Sequence, residues 1–186
     1  MTGSETIIQL EGAGSPEVRL LDARTSGLDD RALREWAHAL TAGSRAPYVS
    51  RSYRYPYALV GWHREPVGVD IERVSPCDTA FADLICTPAE RSDATCATDS
   101  DSYLTSLWCA KEALAKTLGN ALCYEPSRLE SPARWPQQRA GPLRAARLSV
   151  AVDHVAWVCW RSSDAAANPE KVLKPGRERP SVTPPS

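Results

Sequence analysis

Between Tyr103 and Gly119 apolar residues return every three or four positions: Leu104, Leu107, Trp108, Leu114, Ala115 and Leu118 fall on one stripe of a predicted helix. Asp99 and Ser100 offer caps at its start, and Gly119 is placed to end it. Lys111 falls near the middle of that stripe, four after Leu107 and three before Leu114. An ammonium among leucines is costly unless an anion meets it. Glu112 and Lys116 sit four apart along one edge of the same stripe. On an ordinary surface such a pair contributes about 0.3–0.5 kcal/mol. Beside a lysine the core should reject, it marks a candidate site.

The same patterning orders the rest of the chain. Thr6–Leu10 and Val18–Leu21 lean toward strand around a Gly/Ser/Pro break. Ser26 to Ala42 reads as a helix, with Leu28, Leu33, Trp36, Ala37 and Leu40 on one side and acids near its start. Tyr57–Trp62 and Val67–Val74 read as two strands, and their spacing predicts a hairpin. A helix is predicted from Thr87-Pro88-Ala89-Glu90, where proline suits the first turn. The stretch from Gly119 to Gly141 is rich in Pro and Arg and reads mostly as loop. Arg147–Val152 and His154–Trp160 predict a closing hairpin turned at Asp153. From Ser162 onward the chain is polar and proline-rich, which predicts disorder.

Length and composition narrow the class. A chain of 186 residues with 42% hydrophobic content supports one domain, or two small halves sharing a core. Lys+Arg 22 against Asp+Glu 23 leaves a net charge of -1, which gives no electrostatic case for nucleic acid or an anionic membrane as partner. No charged-then-apolar leader opens the chain and no apolar run nears the ~20 residues of a membrane span, which predicts a soluble, cytoplasmic protein. Cysteines stand at 77, 86, 96, 109, 123 and 159, with no CxxC pair, so neither a zinc site nor a disulfide framework is expected; most should be small core residues.

Chemistry concentrates in two places. On the strand 67–74, Asp70 and Glu72 are two apart, so both carboxylates point to one face while Val69 and Ile71 point to the other, the core. Two like charges side by side repel, and a divalent cation with oxygen ligands is the simple remedy. Glu112 would add a third carboxylate from the helix. Three oxygens plus waters suit Mg²⁺, and Lys111 and Lys116 beside them would serve a phosphate-bearing ligand. Such a constellation suits phosphoryl chemistry at a diphosphate.

Val67-Gly68-Val69-Asp70-Ile71-Glu72, followed about forty residues later by Trp108-Cys109-Ala110-Lys111-Glu112-Ala113-Leu114-Ala115-Lys116, resembles the 4′-phosphopantetheinyl transferase superfamily. That family pairs a Gly-x-Asp-x-Glu strand with a Trp/Phe-x-x-Lys-Glu-Ala/Ser-x-x-x-Lys helix. Thr87-Pro88-Ala89-Glu90 and Val155-Ala156-Trp157-Val158 resemble its intervening helix start and closing strand, so the resemblance spans about residues 45–160. It implies an α+β fold of two pseudo-twofold-related halves, here a shortened first half over 1–64 and a second half over 65–161, with 162–186 a tail. It also implies transfer of the phosphopantetheine arm from coenzyme A to a serine of an acyl or peptidyl carrier protein, releasing 3′,5′-ADP. Asp70, Glu72 and Glu112 would hold Mg²⁺, with Glu112 also the candidate base. Lys111 would contact phosphate, and Lys116 would stabilise charge on the diphosphate.

Two departures stand out. Members carry Ser-His-Ser-Gly ahead of the acidic strand, the histidine meeting the 3′-phosphate of coenzyme A; the aligned stretch here is Ser52-Tyr53-Arg54-Tyr55. Arg54 or Arg51 would then take the phosphate, since arginine makes bidentate phosphate contacts. The sequence before the motif is also short for a two-halved member, leaving Arg24, Arg31, Arg34 and Arg45 as candidate nucleotide contacts. Gly119-Asn120-Ala121 stands where Gly-x-Gly is common. Besides an active transferase serving a biosynthetic assembly line, these departures leave open a non-catalytic relative that binds a carrier protein, and a different Mg²⁺-dependent reaction on a coenzyme A or nucleotide ligand.

Overall fold

Strands covered on both faces need near-continuous apolar runs, and two segments here have them: Tyr57–His63 and His154–Arg161 are buried almost end to end. Each lies inside one of two four-stranded antiparallel sheets. The computed structural model describes residues 3–163 apart from 13 and 122, so the tail expected to be disordered lies outside the described residues from 164 on. In chain order the elements are β1 (Ser4–Ile8), β2 (Glu17–Asp22), α1 (Asp30–Ala42), β3 (Tyr48–Arg54), β4 (Tyr57–His63), β5 (Val67–Arg73), α2 (Thr79–Ile85), α3 (Pro88–Cys96), α4 (Ser100–Thr117), β6 (Arg139–Ala140), β7 (Leu143–Leu148) and β8 (His154–Arg161). The first sheet runs β1-β2-β4-β3 and the second β5-β8-β7-β6. Among the described residues no helix is long and apolar enough to cross a membrane.

The layers follow from alternation along the strands. Val18, Tyr57 and Leu59 of the first sheet meet Val69, Ile71, Ala156 and Val158 of the second in one shared core. The opposite face of the first sheet, with Leu21, Ala58 and Val60, packs on Leu33 and Ala37 of α1. That of the second, with Ala145, Val155, Trp157 and Cys159, packs on Cys109, Ala110, Ala113 and Leu114 of α4. Each half is therefore a sheet with one long helix outside it, the expected mixed α+β arrangement. Cys86, Cys109 and Cys159 are buried as small core residues, whereas Cys77 is intermediate and Cys96 and Cys123 are exposed.

Several elements depart from expectation. The hairpin expected of β4 and β5 does not form: β4 pairs with β2 and β3, and β5 pairs with β8. With both edges of β4 taken, the chain crosses to the other sheet. β3 was invisible to apolar alternation because its inward positions are Ser50 and Ser52, both buried. Helix α1 starts at Asp30, capped by Asp29, rather than at Ser26, whose hydroxyl donates to the Ala23 carbonyl at 2.9 Å in a turn. The closing hairpin is present, but its first strand is Leu143–Leu148, so that Leu148 faces Ala156; Val150 and Ala151 pack on the core from the connecting loop. Helix α2 carries too few residues to show a period. Three short 3-10 turns, each opened by a proline, fill the loop from 126 to 138.

The two sheets also meet edge to edge at β3 and β5. The outward amides of β5 are taken by β3 hydroxyls: Val69 N–H donates to Ser50 Oγ at 3.0 Å and Ile71 N–H to Ser52 Oγ at 3.3 Å. On the other side of β5, α4 approaches so closely that a Cβ at residue 68 would stand 2.0 Å from the Ala113 carbonyl oxygen and 2.8 Å from Lys116 Cβ. Only glycine fits there. Gly68→Ala is expected to lower the unfolding free energy in urea by about 3 kcal/mol through overpacking against backbone; an unchanged midpoint would show that α4 can move aside freely.

Candidate active site

Gly68 lets α4 lie on β5, and the consequence appears two residues on. Asp70, on the same face as Gly68, is buried, and its Oδ1 accepts from Lys116 Nζ at 2.6 Å and from Ser52 Oγ at 2.8 Å. Lys116 also donates to the Val69 carbonyl at 3.0 Å. Three elements (β3, β5 and α4) therefore converge on one carboxylate. Its second oxygen, Oδ2, is buried without a hydrogen-bond partner. A buried carboxylate oxygen left bare is the place where a cation or a further donor fits.

Glu72 shares that face, and its carboxylate pairs with Arg54 at the end of β3. Burial and the Asp70 charge raise the Glu72 carboxyl above the usual carboxylate range, against the opposing pull of Arg54 and Lys116. Glu112 is half-buried on α4, and its Oε1 accepts from Tyr124 Oη at 2.6 Å. Burial raises the Glu112 carboxyl too; the Tyr124 hydrogen bond lowers it and Asp70 adds to the rise. The Tyr124 hydroxyl is itself held well above the phenol range, first by burial and then by donating to Glu112. Beneath the acids the Cys109 thiol is fully buried and pushed up by burial and by the Asp70 and Glu72 charges.

The Asp70 charge thus acts on both glutamates, but as the side chains stand no three of the Asp, Glu, His and Cys side chains among the described residues are grouped closely enough to hold a metal ion. The expected three-carboxylate cage is not preassembled. Glu72 is turned to Arg54 and Glu112 to Tyr124. The chemistry of the donors, hard carboxylate oxygens of which the buried Asp70 Oδ2 is bare, nonetheless suits a small divalent cation. A cavity of about 570 Å³ lined by Gln9, Glu11, Gln138, Arg139, Arg144 and Trp160 lies against none of these acids.

Lys111 requires a correction. Expected to contact phosphate, it is wholly buried, and its ammonium donates three hydrogen bonds: to Glu90 Oε2 at 2.6 Å, to the Ile85 carbonyl at 2.5 Å and to the Pro126 carbonyl at 2.9 Å. Glu90, equally buried, also accepts from Thr87 N–H at 2.8 Å and Ser131 N–H at 2.7 Å. The sequence demanded an anion for Lys111 but did not locate it. The signal available was Thr87-Pro88-Ala89-Glu90, which forms a capping box. Tyr124 carried no sequence signal at all.

The expected coenzyme A contacts divide between two faces of β3. Ser52 and Arg54 face the acids. Tyr53 and Arg51 face α1, where Arg51 donates to Thr41 Oγ1 at 2.8 and 2.6 Å. The Tyr53 ring carries the Arg34 guanidinium at 4.5 Å and stacks with His38 at 6.5 Å, and its hydroxyl is buried without a partner. Arg54 therefore does not share the position of Tyr53, as a 3′-phosphate contact in its place would need. Arg45 is exposed in the connection between α1 and β3, and Glu112 and Lys116 do not pair, since Lys116 turns to Asp70.

Two acids and a lysine thus gather where the second sheet meets the long helix α4. Residues 66–167 match the family profile of the 4′-phosphopantetheinyl transferase superfamily, over half of the chain, and the protein belongs to that superfamily. It is similar to the 4′-phosphopantetheinyl transferase psf-1 of Bacillus pumilus, with 38% identity over 69 residues, covering 32% of this chain and 26% of the relative. The chain spans about a quarter of that relative's length.

Removing one partner of a buried ion pair strands the other. Lys111→Met should cost about 3–5 kcal/mol of stability in urea unfolding. A loss below about 1 kcal/mol, the size of an exposed pair, would show that Glu90 is not left buried and uncompensated.

Proposed function

We propose that the protein transfers the 4′-phosphopantetheine arm of coenzyme A to a serine of an acyl or peptidyl carrier protein, with Mg²⁺ held by Asp70, Glu72 and Glu112. The observation that carries this reading is the bare, buried Asp70 Oδ2 beside Lys116, in a chain of this superfamily. Bound there, a divalent ion would offset the negative charge of the diphosphate. The residues do the rest. Glu112, half-buried on α4, is suited to take the proton from the incoming serine hydroxyl, directly or through a water, as that oxygen attacks the phosphorus bearing the pantetheine arm. The bond to 3′,5′-ADP breaks and that product leaves. Lys116, fixed on Asp70 and the Val69 carbonyl, presents positive charge at the same place. Lys111 acts from beneath, by holding α4 in position.

On this reading the 3′-phosphate of coenzyme A meets the α1 face of β3, where Tyr53, Arg51, Arg34 and His38 gather. The orphaned Tyr53 hydroxyl supports it, since an anion would supply the missing acceptor. A second reading, a relative that keeps the fold and binds a carrier or nucleotide without turnover, is favoured by the Arg54 pairing with Glu72.

Purified protein incubated with coenzyme A, Mg²⁺ and several apo carrier proteins should add one phosphopantetheine arm to a carrier serine, seen by mass spectrometry. Glu112→Ala should abolish that gain with the fold intact by circular dichroism; unchanged turnover would remove Glu112 from the mechanism. No gain on any carrier by the unaltered protein would favour the second reading. Tyr53→Phe removes a single hydroxyl and should raise the apparent KM for coenzyme A about tenfold, the size of a hydrogen bond to a charged group. Equal effects on coenzyme A and 3′-dephospho-coenzyme A would show that Tyr53 does not read the 3′-phosphate.

A further inference from the structure

The geometry points to Arg54 as an internal competitor for the cation: its guanidinium occupies Glu72, so that a divalent ion gains Glu72 as a ligand only by displacing it. The inference rests on the metal reading above and adds a residue that tunes it. On the edge where β3 meets β5, residues two apart on one strand serve residues two apart on the other: Ser52 donates to Asp70, and Arg54 pairs with Glu72. The two pairs are not equivalent. Asp70 is nearly sealed, with Lys116 as its second donor, and keeps Oδ2 bare. The Arg54 side chain is 47% exposed while that of Glu72 is 15% exposed, so the guanidinium caps the carboxylate from the solvent side and can swing away.

Charge points the same way. Asp70, Glu72 and Glu112 carry three negative charges, and Lys116 and Arg54 return two positive ones. A neutral residue at 54 would leave a net charge of two rather than one for a cation to meet. The paired state also turns the Glu72 carboxylate toward β3, leaving Asp70 Oδ2 to receive the ion first. Because binding must draw on the fraction of molecules in which Arg54 has let go, the apparent affinity is reduced by that fraction.

The test is Mn²⁺ binding to the full chain without coenzyme A at fixed ionic strength, read from loss of the free-ion signal in electron paramagnetic resonance. Arg54→Ala and Arg54→Ser should each bind Mn²⁺ about five- to tenfold more tightly than the unaltered protein. Arg19→Ala, which removes the same charge from β2, separated from β3 by β4 in the first sheet, should leave the affinity unchanged. In a Glu72→Gln background, where there is no ion pair to displace and only the change in charge remains, Arg54→Ala should have a clearly smaller effect. Equal or weaker binding by both Arg54 variants would overturn the competition alone, as would an equal gain in Arg19→Ala. Absence of binding by every form would overturn the metal reading and this inference with it.

Discussion

Helix α4 can lie on β5 only because residue 68 has no side chain, and the candidate site is a product of that contact. The helix backbone at Ala113 and Thr117 occupies the space where any Cβ would go. From that distance Lys116 spans to Asp70 and to the Val69 carbonyl. Glu112, one turn earlier on α4, joins the same side. A larger residue at 68 would move the lysine and the third acid together, so one steric constraint sets both the electrostatics and the ligand geometry.

The two lysines of α4 serve different ends. Lys111 enters the core because Glu90 and two carbonyls meet every proton it carries, tying α4 to α2, α3 and the loop at Pro126. That loop also bears Tyr124, two residues before Pro126, whose hydroxyl reaches Glu112. Neighbouring residues on the helix thus hold the same loop from two sides, one by a buried ion pair and one by a hydrogen bond to an acid of the site. A half-satisfied network here would be costly, and this one is complete at both Lys111 and Glu90.

Much of this was legible in the chain. Periodicity marked α1, α4, β4, β5 and β8; Asp99 caps α4 as its sequence suggested, and Pro88 stands in the first turn of α3. The two-residue spacing of Asp70 and Glu72 placed both on one face. What escaped was structure whose inward residues are polar, such as Ser50 and Ser52 on β3, and partnerships between residues distant in sequence, such as Lys111 with Glu90. β4 and β5 are spaced as a hairpin, but spacing along the chain does not reveal that β2 and β3 take both edges of β4. Tyr53 occupies the family's histidine position, and Arg54 beside it faces the acids instead, because adjacent residues of a strand face opposite ways.

The central claim is that Asp70 Oδ2 receives a divalent cation. Diffraction at the manganese absorption edge from crystals grown with Mn²⁺ and coenzyme A tests it most directly. The account predicts a strong anomalous peak in contact with Asp70 Oδ2. A peak held by other residues, with Oδ2 still lacking a partner, would contradict it.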